Sequence, residues 1–308
     1  MRKIVVGSRN SQLALQQTNW VIEKLKELGL PYQFEVKEIV TKGDKILDVT
    51  LARIGGKGLF VKEIEQALLD GEIDFAVHSM KDMPAEMPEG LIVAAVPERE
   101  DPRDCLISNQ DYTIDTLPIG ARVGTSSLRR AAQLLAYRSD LKIESIRGNI
   151  HTRLKKLETE KLDCIVLAAA GLHRMGWGDK ASQYLSLDVC VPAVGQGALG
   201  IQARENDIEI LQLLKKLEDE HTKLVVTAER VLLHTLEGGC QIPIGAHARL
   251  VDEQIHLVGI VASVDGKQVI KKEGFARKEE AAILGKNVAE ALLAAGAFEI
   301  LGQVKGEH

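Results

Sequence analysis

Alternating strand and helix patterns predict an α/β protein with two similar lobes, parallel-rich sheets and a smaller third domain of α+β type. Three observations carry this. Buried-strand patterns alternate with amphipathic helix patterns over the first two lobes. The motif order of one lobe recurs in the next: VGSRNSQLALQ parallels VGTSSLRRAAQ, and GLFVKEIEQALLDGEIDFAV parallels GNIHTRLKKLETEKLDCIV. From about His221 the pattern changes to one helix, three alternating strands and a last helix. A chain of 308 residues can bury several cores of this kind.

The first lobe opens with the strand KIVVGS and a helix from about Ser11 to Leu28. Ala14, Thr18, Val21, Leu25 and Leu28 repeat at helical spacing and are expected to be buried, with Gly29 and Pro31 as the stop. FEVKEIV reads as a second strand and LFVKEIEQALLDG as a helix closed by Gly71. IDFAVHS is a buried strand that runs into the loop MKDMPAEMPEG. After the hinge-like segment PEREDPRD come the strand ARVGTSS, the helix LRRAAQLLAYR, the strand LKIESIRG and the helix NIHTRLKKLETEK. LDCIVLAAAGL is expected as one buried strand. Gly58 and Asp74 in the first copy answer Gly148 and Asp163 in the second. In the third domain the helix KLVVTAERVLLHTLEGG precedes the strands AHARLV, IHLVGIVASV and KQVIKKEGFA, with Asp265-Gly266 as a hairpin turn. The last helix is expected over about Lys278 to Ala294.

Composition narrows the function classes. Aromatic residues make up 4% and the net charge is -5, which argues against nucleic acid as a partner. The apolar run near the start, Ile4 to Val6, is too short for a secretory signal, and no stretch approaches transmembrane length, so a cytoplasmic protein without a membrane partner is expected. Cys105, Cys164, Cys190 and Cys240 show no metal spacing, so no metal is expected, and free thiols fit a reducing compartment. GGKGLF lacks the spacing of a phosphate-binding loop and reads instead as a mobile loop, with Lys57 and Phe60 near its tip.

Charge is distributed unevenly. Between Gly120 and Lys180 basic residues outnumber acidic ones, although the whole chain is acidic. Arg129 and Arg130 fall in the first turn of a helix, directly after GTSS. A helix N-terminus prefers anions, so two cations there make sense if an anion meets them. Arg147, Arg153 and Arg174 fall at the same strand-to-helix edge, and Arg9 and Ser11 at the equivalent edge of the first lobe. Arginine forks suit carboxylates. His78, Lys81 and Asp82 emerge where the strand IDFAVHS ends. His78 reads as structural, and Asp82 as either a salt-bridge partner or a catalytic carboxylate. Cys240 stands apart from the other thiols, in LEGGCQIPIGA, between a glycine pair and a proline.

The motifs GSRNSQLALQQ, TKGDK, GGKGLFVKEIE, DFAVHSMKDMP, GTSSLRR, RGNIHTRL, LAAAGLHRMG, PAVGQGALG and ERVLLHTLEGGCQIPIGA occur in the order of one family. Over its whole length the chain resembles the hydroxymethylbilane synthases, or porphobilinogen deaminases. The resemblance implies two lobes like those of periplasmic binding proteins and a third domain. Lobe one is then expected over 1–98 and 198–217, lobe two over 103–192 and the third domain over 220–308. It implies a monomeric transferase that joins four porphobilinogen molecules head to tail with release of ammonia, and a dipyrromethane cofactor attached by thioether to Cys240.

By the same resemblance Asp82 is the catalytic residue, stabilising the cationic azafulvene left by ammonia. Lys81, Thr125, Ser127, Arg129, Arg130, Arg153 and Gln196 are expected on the cofactor. Arg9, Ser11, Ser126, Arg147, Arg174, Lys57 and Phe60 are expected on the substrate. Arg53 stands where family members often carry lysine. The alternative is a two-lobe protein that binds an anionic small molecule without catalysis. It gives no reason for the cysteine motif or for the aspartate after HSMK.

Overall fold

The computed structural model describes residues 2–45, 61–236 and 242–306. The chain folds as two compact units. The first unit is built on β1 (Arg2–Arg9), β2 (Tyr32–Ile39), β3 (Phe75–Ser79), β4 (Leu91–Ala95) and β10 (Leu199–Arg204), in the order β2-β1-β3-β10-β4. β1 runs parallel to β2 and β3, and β10 runs antiparallel to both β3 and β4. The helix Gln12–Glu27 covers this sheet, with Val21, Ile22 and Leu25 packed against Ile4, Val6, Phe75 and Ile201. Ser11 caps it by accepting from the Ala14 amide, as expected of a serine before an apolar-periodic run. Leu28 is 40% exposed rather than buried, because it is the C-cap and lies beyond the last packed residue, Leu25.

The second unit carries two sheets. One comprises β5 (Asp104–Ile107), β6 (Arg122–Gly124), β7 (Lys142–Glu144), β8 (Cys164–Ala168) and β9 (Gln183–Tyr184), in the order β7-β6-β8-β5-β9. β6 is parallel to β7 and β8, whereas β5 is antiparallel to β8 and β9. Strand for strand, β2-β1-β3-β10-β4 and β7-β6-β8-β5-β9 follow one plan. The likeness of the two motif series is therefore a likeness of topology. In each sheet the antiparallel strand adjoins a crossing of the chain: β5 follows the first and β10 the second.

Two sequence expectations change in these sheets. LDCIVLAAAGL is split: the strand ends at Ala168 and Ala169–Arg174 is helix. Consecutive alanines favour helix, and the β-branched pair Ile165 and Val166 already lies within the strand. The short strands LIVAA and DCLI, β4 and β5, flank the segment read only as a hinge.

The second sheet of this unit is antiparallel: β11 (Ile244–Val251), β12 (Gln254–Ala262) and β13 (Val269–Arg277). The helix Glu220–Thr235 precedes it, and the helix Ala281–Leu292 follows. The last helix does not stop near Ala294. A wide turn over Leu293–Ala297, with Gly296 at φ 101°, leads into a further helix, Phe298–Gly306. The stretch Lys278–Gln303 is long and apolar enough to cross a membrane by length and composition, contrary to expectation. It bends at Gly296 and buries Leu284, Val288 and Leu292 along one face while Ile283 and Phe298 stay exposed, the stripe of an amphipathic helix packed on a sheet.

Candidate active site

In the first unit β1 and β3 end side by side, and the chain leaves β3 through a short 3-10 turn, Met80–Asp82. The turn brings Asp82 to a small recess of about 20 Å³, room for one water, lined also by Arg9, Gln17, His78 and Ser79. Arg9 reaches Asp44, with Nη2 at 2.5 Å from Oδ1. Burial pushes the Asp44 carboxyl up, but hydrogen bonds from Arg9 and Thr41 outweigh it and hold it below the usual range. Asp82 differs: among the described residues it has neither an ion pair nor a hydrogen bond. Among the described residues the salt-bridge reading left open by the sequence is therefore not realised. Lys81, beside it, is partly exposed.

His78 is buried and lies in the floor of the recess. Its Nε2 is 3.1 Å from Oε1 of Gln202, and the Gln202 amide donates to Oε1 of Glu65 at 3.3 Å. Burial pushes the His78 pKa down to about 4, so the ring is neutral and Nε2–H donates to Gln202. The structural reading of His78 agrees with this network. Sequence reasoning missed Gln202 and Glu65. Their signal was polarity at core positions, Gln202 in the strand LGIQAR and Glu65 on the apolar face of a helix.

In the second unit Ser127 caps the helix Leu128–Tyr137 by accepting from the Arg130 amide. Arg129 and Arg130, expected to meet a ligand anion there, are buried and meet Asp104. Arg129 Nη1 lies 2.6 Å from Oδ2, and Arg130 Nε donates to Oδ1 at 2.9 Å. The Val191 and Val166 carbonyls accept further donors of the two arginines. Gln196 Nε2 donates to Asp104 Oδ1 at 3.0 Å and to the Pro102 carbonyl at 2.7 Å. Burial pushes the Asp104 carboxyl up, but the two guanidinium charges hold it far below the usual range. The anion demanded at this helix end is thus supplied in part by the chain itself. Two cations against one carboxylate leave the cluster positive.

The other predicted residues lie along the same edge. Thr125 is buried and its amide donates to the Glu144 carbonyl, while Ser126 Oγ donates to the Ile146 carbonyl. Arg147 is partly exposed, and Arg153 Nε donates to the Gly148 carbonyl at 2.8 Å. Arg174 Nη2 donates to the Gly197 carbonyl at 2.7 Å. Burial pushes its pKa down to about 10, and the nearby Glu100 charge only partly offsets this. Its cation is desolvated and makes one hydrogen bond among the described residues, which leaves donors for an anion.

Lys57, Phe60, Arg53 and Cys240 lie outside the described residues. The elements that flank the cysteine loop are described, and sequence reasoning missed what joins them. Glu229, fully buried on the helix Glu220–Thr235, accepts from the Ala248 amide of β11 at 2.8 Å and from the Gly195 amide at 2.7 Å. Cys105, Cys164 and Cys190 are buried free thiols, each pushed up to about 12 by burial. Cys105 and Cys164 pack as small hydrophobes, as their sequence setting suggested. Cys190 Sγ also joins the Asp104 cluster, donating to Asp104 Oδ2 at 3.3 Å and accepting from Arg129 Nη1 at 3.3 Å. Among the described residues no group of three or more His, Cys, Asp or Glu could hold a metal ion.

Comparison with known proteins supplies the family. Residues 4–212 match the model described as porphobilinogen deaminase, dipyromethane cofactor binding domain, and residues 223–294 match the porphobilinogen deaminase C-terminal domain. A porphobilinogen deaminase of Geobacillus sp. is 60% identical over 100% of this chain and 99% of its own length. One from Halalkalibacterium halodurans is 57% identical over 99% of this chain and 98% of its own, and one from Geobacillus kaustophilus 58% identical over 100% and 99%. With both family domains matched in order and the relatives aligned nearly end to end, the chain belongs to the porphobilinogen deaminase family.

Proposed function

We propose that this chain is a transferase that joins four porphobilinogen molecules head to tail, releases one ammonia per step and yields the linear tetrapyrrole hydroxymethylbilane. Its family membership supports the reaction, and the matched cofactor domain supports a bound dipyrromethane. The observation that carries the mechanism is Asp82, a carboxylate without a partner among the described residues, in a recess at the ends of β1 and β3.

In each step the C–N bond of an aminomethyl group breaks and nitrogen leaves as ammonia. A C–C bond then forms from that methylene carbon to the free ring carbon of the pyrrole already held, which gives up its proton. Water adds to the product's terminal methylene at release to give the hydroxymethyl group. Positive charge develops on the substrate as ammonia departs. Asp82 faces that charge and accepts pyrrole N–H groups, an electrostatic role that needs a carboxylate not already neutralised by an ion pair.

The residues present fit a dipyrromethane, which carries several carboxylates. Arg174 holds a desolvated charge with donors to spare, and the Asp104 cluster is net positive behind the amides of a ten-residue helix. When bound, dipyrromethane supplies the pyrrole carbon to which the first substrate unit is joined. We assign its attachment to Cys240 and its carboxylates to Arg129, Arg130 and Arg153, with Lys81, Thr125, Ser127 and Gln196 around them. Substrate carboxylates fall to Arg9, Arg147 and Arg174, with Ser11 and Ser126 nearby and Lys57 and Phe60 on their loop. We further propose a cytoplasmic monomer that uses neither nucleic acid nor membrane.

Incubation with porphobilinogen and assay of ammonia tests the reaction. Release of ammonia with formation of hydroxymethylbilane is expected. Tight binding without ammonia release would leave only the reading as a binding protein.

A further inference from the structure

His173 and Arg174 are the last two residues of the helix Ala169–Arg174, and their side chains close a ring through the two segments where the chain crosses between its sheets. Arg174 Nη2 donates to the Gly197 carbonyl at 2.7 Å. The same carbonyl accepts from the Glu100 amide at 3.2 Å. Glu100 Oε1 in turn lies 3.0 Å from His173 Nδ1 and accepts from the Asp101 amide at 2.8 Å. Each link is a direct contact, and the covalent bond between His173 and Arg174 completes the circuit.

The ring is tightly determined. Gly197 has φ +89°, and a Cβ there would lie 2.3 Å from the Glu100 carbonyl oxygen, so only glycine brings the two crossings this close. Burial pushes the Glu100 carboxyl up, but the His173 hydrogen bond and the Asp101 amide outweigh it and keep it below its usual range. An ionised Glu100 makes His173 Nδ1 the donor. His173 Nε2 is 2.9 Å from the Tyr184 hydroxyl, which also lies 3.3 Å from the Gly178 carbonyl. Tyr184 packs at 5.7 Å against the His173 ring and lies under the Arg103 guanidinium at 4.7 Å. A neutral His173 accepts from Tyr184. A charged one donates to it while Tyr184 donates to Gly178. Both states keep the bond to Glu100.

We propose that His173 is a positioning residue: through Glu100 and the Gly197 carbonyl it sets the direction of the Arg174 guanidinium. This rests on the assignment of Arg174 to substrate carboxylates made above. Arg174 spends one donor on Gly197, so the placement of that carbonyl decides where its remaining donors point. Loss of the His173 link frees Glu100, lets the crossing shift, and misaims Arg174 without removing it.

The test is a double-mutant cycle on the full chain carrying its cofactor, using His173→Ala, Arg174→Gln and the pair, with His173→Asn as the conservative variant. Asparagine places an amide donor near the position of Nδ1. His173→Ala is expected to raise KM for porphobilinogen about tenfold with kcat changed less than about threefold, the sign of lost ground-state binding. His173→Asn is expected to restore KM to within about twofold of the parent, and His173→Ala to add less than about twofold once Arg174 is Gln. The same factor in both backgrounds, or no rise in KM, would overturn the proposal. An unchanged KM in Arg174→Gln would remove the substrate assignment of Arg174 and the proposal with it. A KM effect there with additive His173→Ala would remove only the proposal. If His173→Ala fails to fold, the test passes to His173→Asn and His173→Gln, whose amide reaches toward Tyr184 instead. The asparagine variant is expected to keep KM and the glutamine variant to raise it, and equal KM values would refute the ring.

Discussion

Asp82 and Arg9 line one recess, yet Arg9 pairs with Asp44 at 2.5 Å and Asp82 pairs with no described residue. A carboxylate left unpaired so near a guanidinium that is satisfied elsewhere is available to a cationic partner from outside the chain.

Asp82→Asn keeps shape and removes charge. Ammonia release from porphobilinogen is expected to fall about 10²–10³-fold, the scale of losing one preorganised electrostatic contact. Stability is expected to stay within about 0.5 kcal/mol of the parent, since no buried partner is orphaned. Steady-state assay and urea unfolding of the same samples check both halves.

Asp104 holds together Arg129, Arg130 and Gln196 at the core of the second unit. Asp104→Asn leaves two buried guanidiniums without their counter-charge, and a loss of about 3–5 kcal/mol is expected in urea unfolding. The pH dependence has a definite sign. The folded-state pKa lies below the unfolded value of about 3.9, so the contribution is complete above that value and is lost as pH falls through the folded one. The difference between parent and variant is expected to be flat from pH 8 to about 4.5 and to shrink only in stronger acid.

His78 predicts acid sensitivity of the same sign in a higher pH window. With the folded pKa near 4 and the unfolded value 6.5, the unfolded chain takes up a proton first as pH falls. Stability is therefore lost between about pH 6.5 and pH 4, by up to about 3 kcal/mol for this group. His78→Gln, which can still reach Gln202, is expected to flatten that stretch of the curve of unfolding free energy against pH. An unchanged slope would show that other groups set it.

Gly197→Ala forces a β-carbon to within 2.3 Å of the Glu100 carbonyl oxygen at a positive φ. A loss of about 1–3 kcal/mol is expected, together with faster amide exchange at Glu100, whose N–H bonds the Gly197 carbonyl. Normal protection at Glu100 would mean that the crossings are not joined there in solution.

Much of this was legible in the sequence because it depends on neighbours in the chain. Ser11 and Ser127 announce their helices as caps, and glycine and proline mark the turns. The strands β1, β2 and β3 and their counterparts β6, β7 and β8 follow from repeated patterns. What was not legible depends on partners far away in sequence. Arg129 and Arg130 looked like an anion site, and nothing local showed that Asp104, in the segment read as a hinge, would supply one of the charges. Arg9 hid its pairing with Asp44 in the same way. Gln202 and Glu229 sit in apolar runs, and only their burial reveals the amides and side chains they satisfy. β4 and β5 were missed because strands of five and four residues beside prolines carry too little periodicity.

The most direct test of the central claim is the intact mass of the active, purified protein. A mass above that of the sequence by two pyrrole units is expected, and Cys240→Ser is expected to lack both the increment and the activity. A protein of unmodified mass that still converts porphobilinogen at full rate would contradict the account.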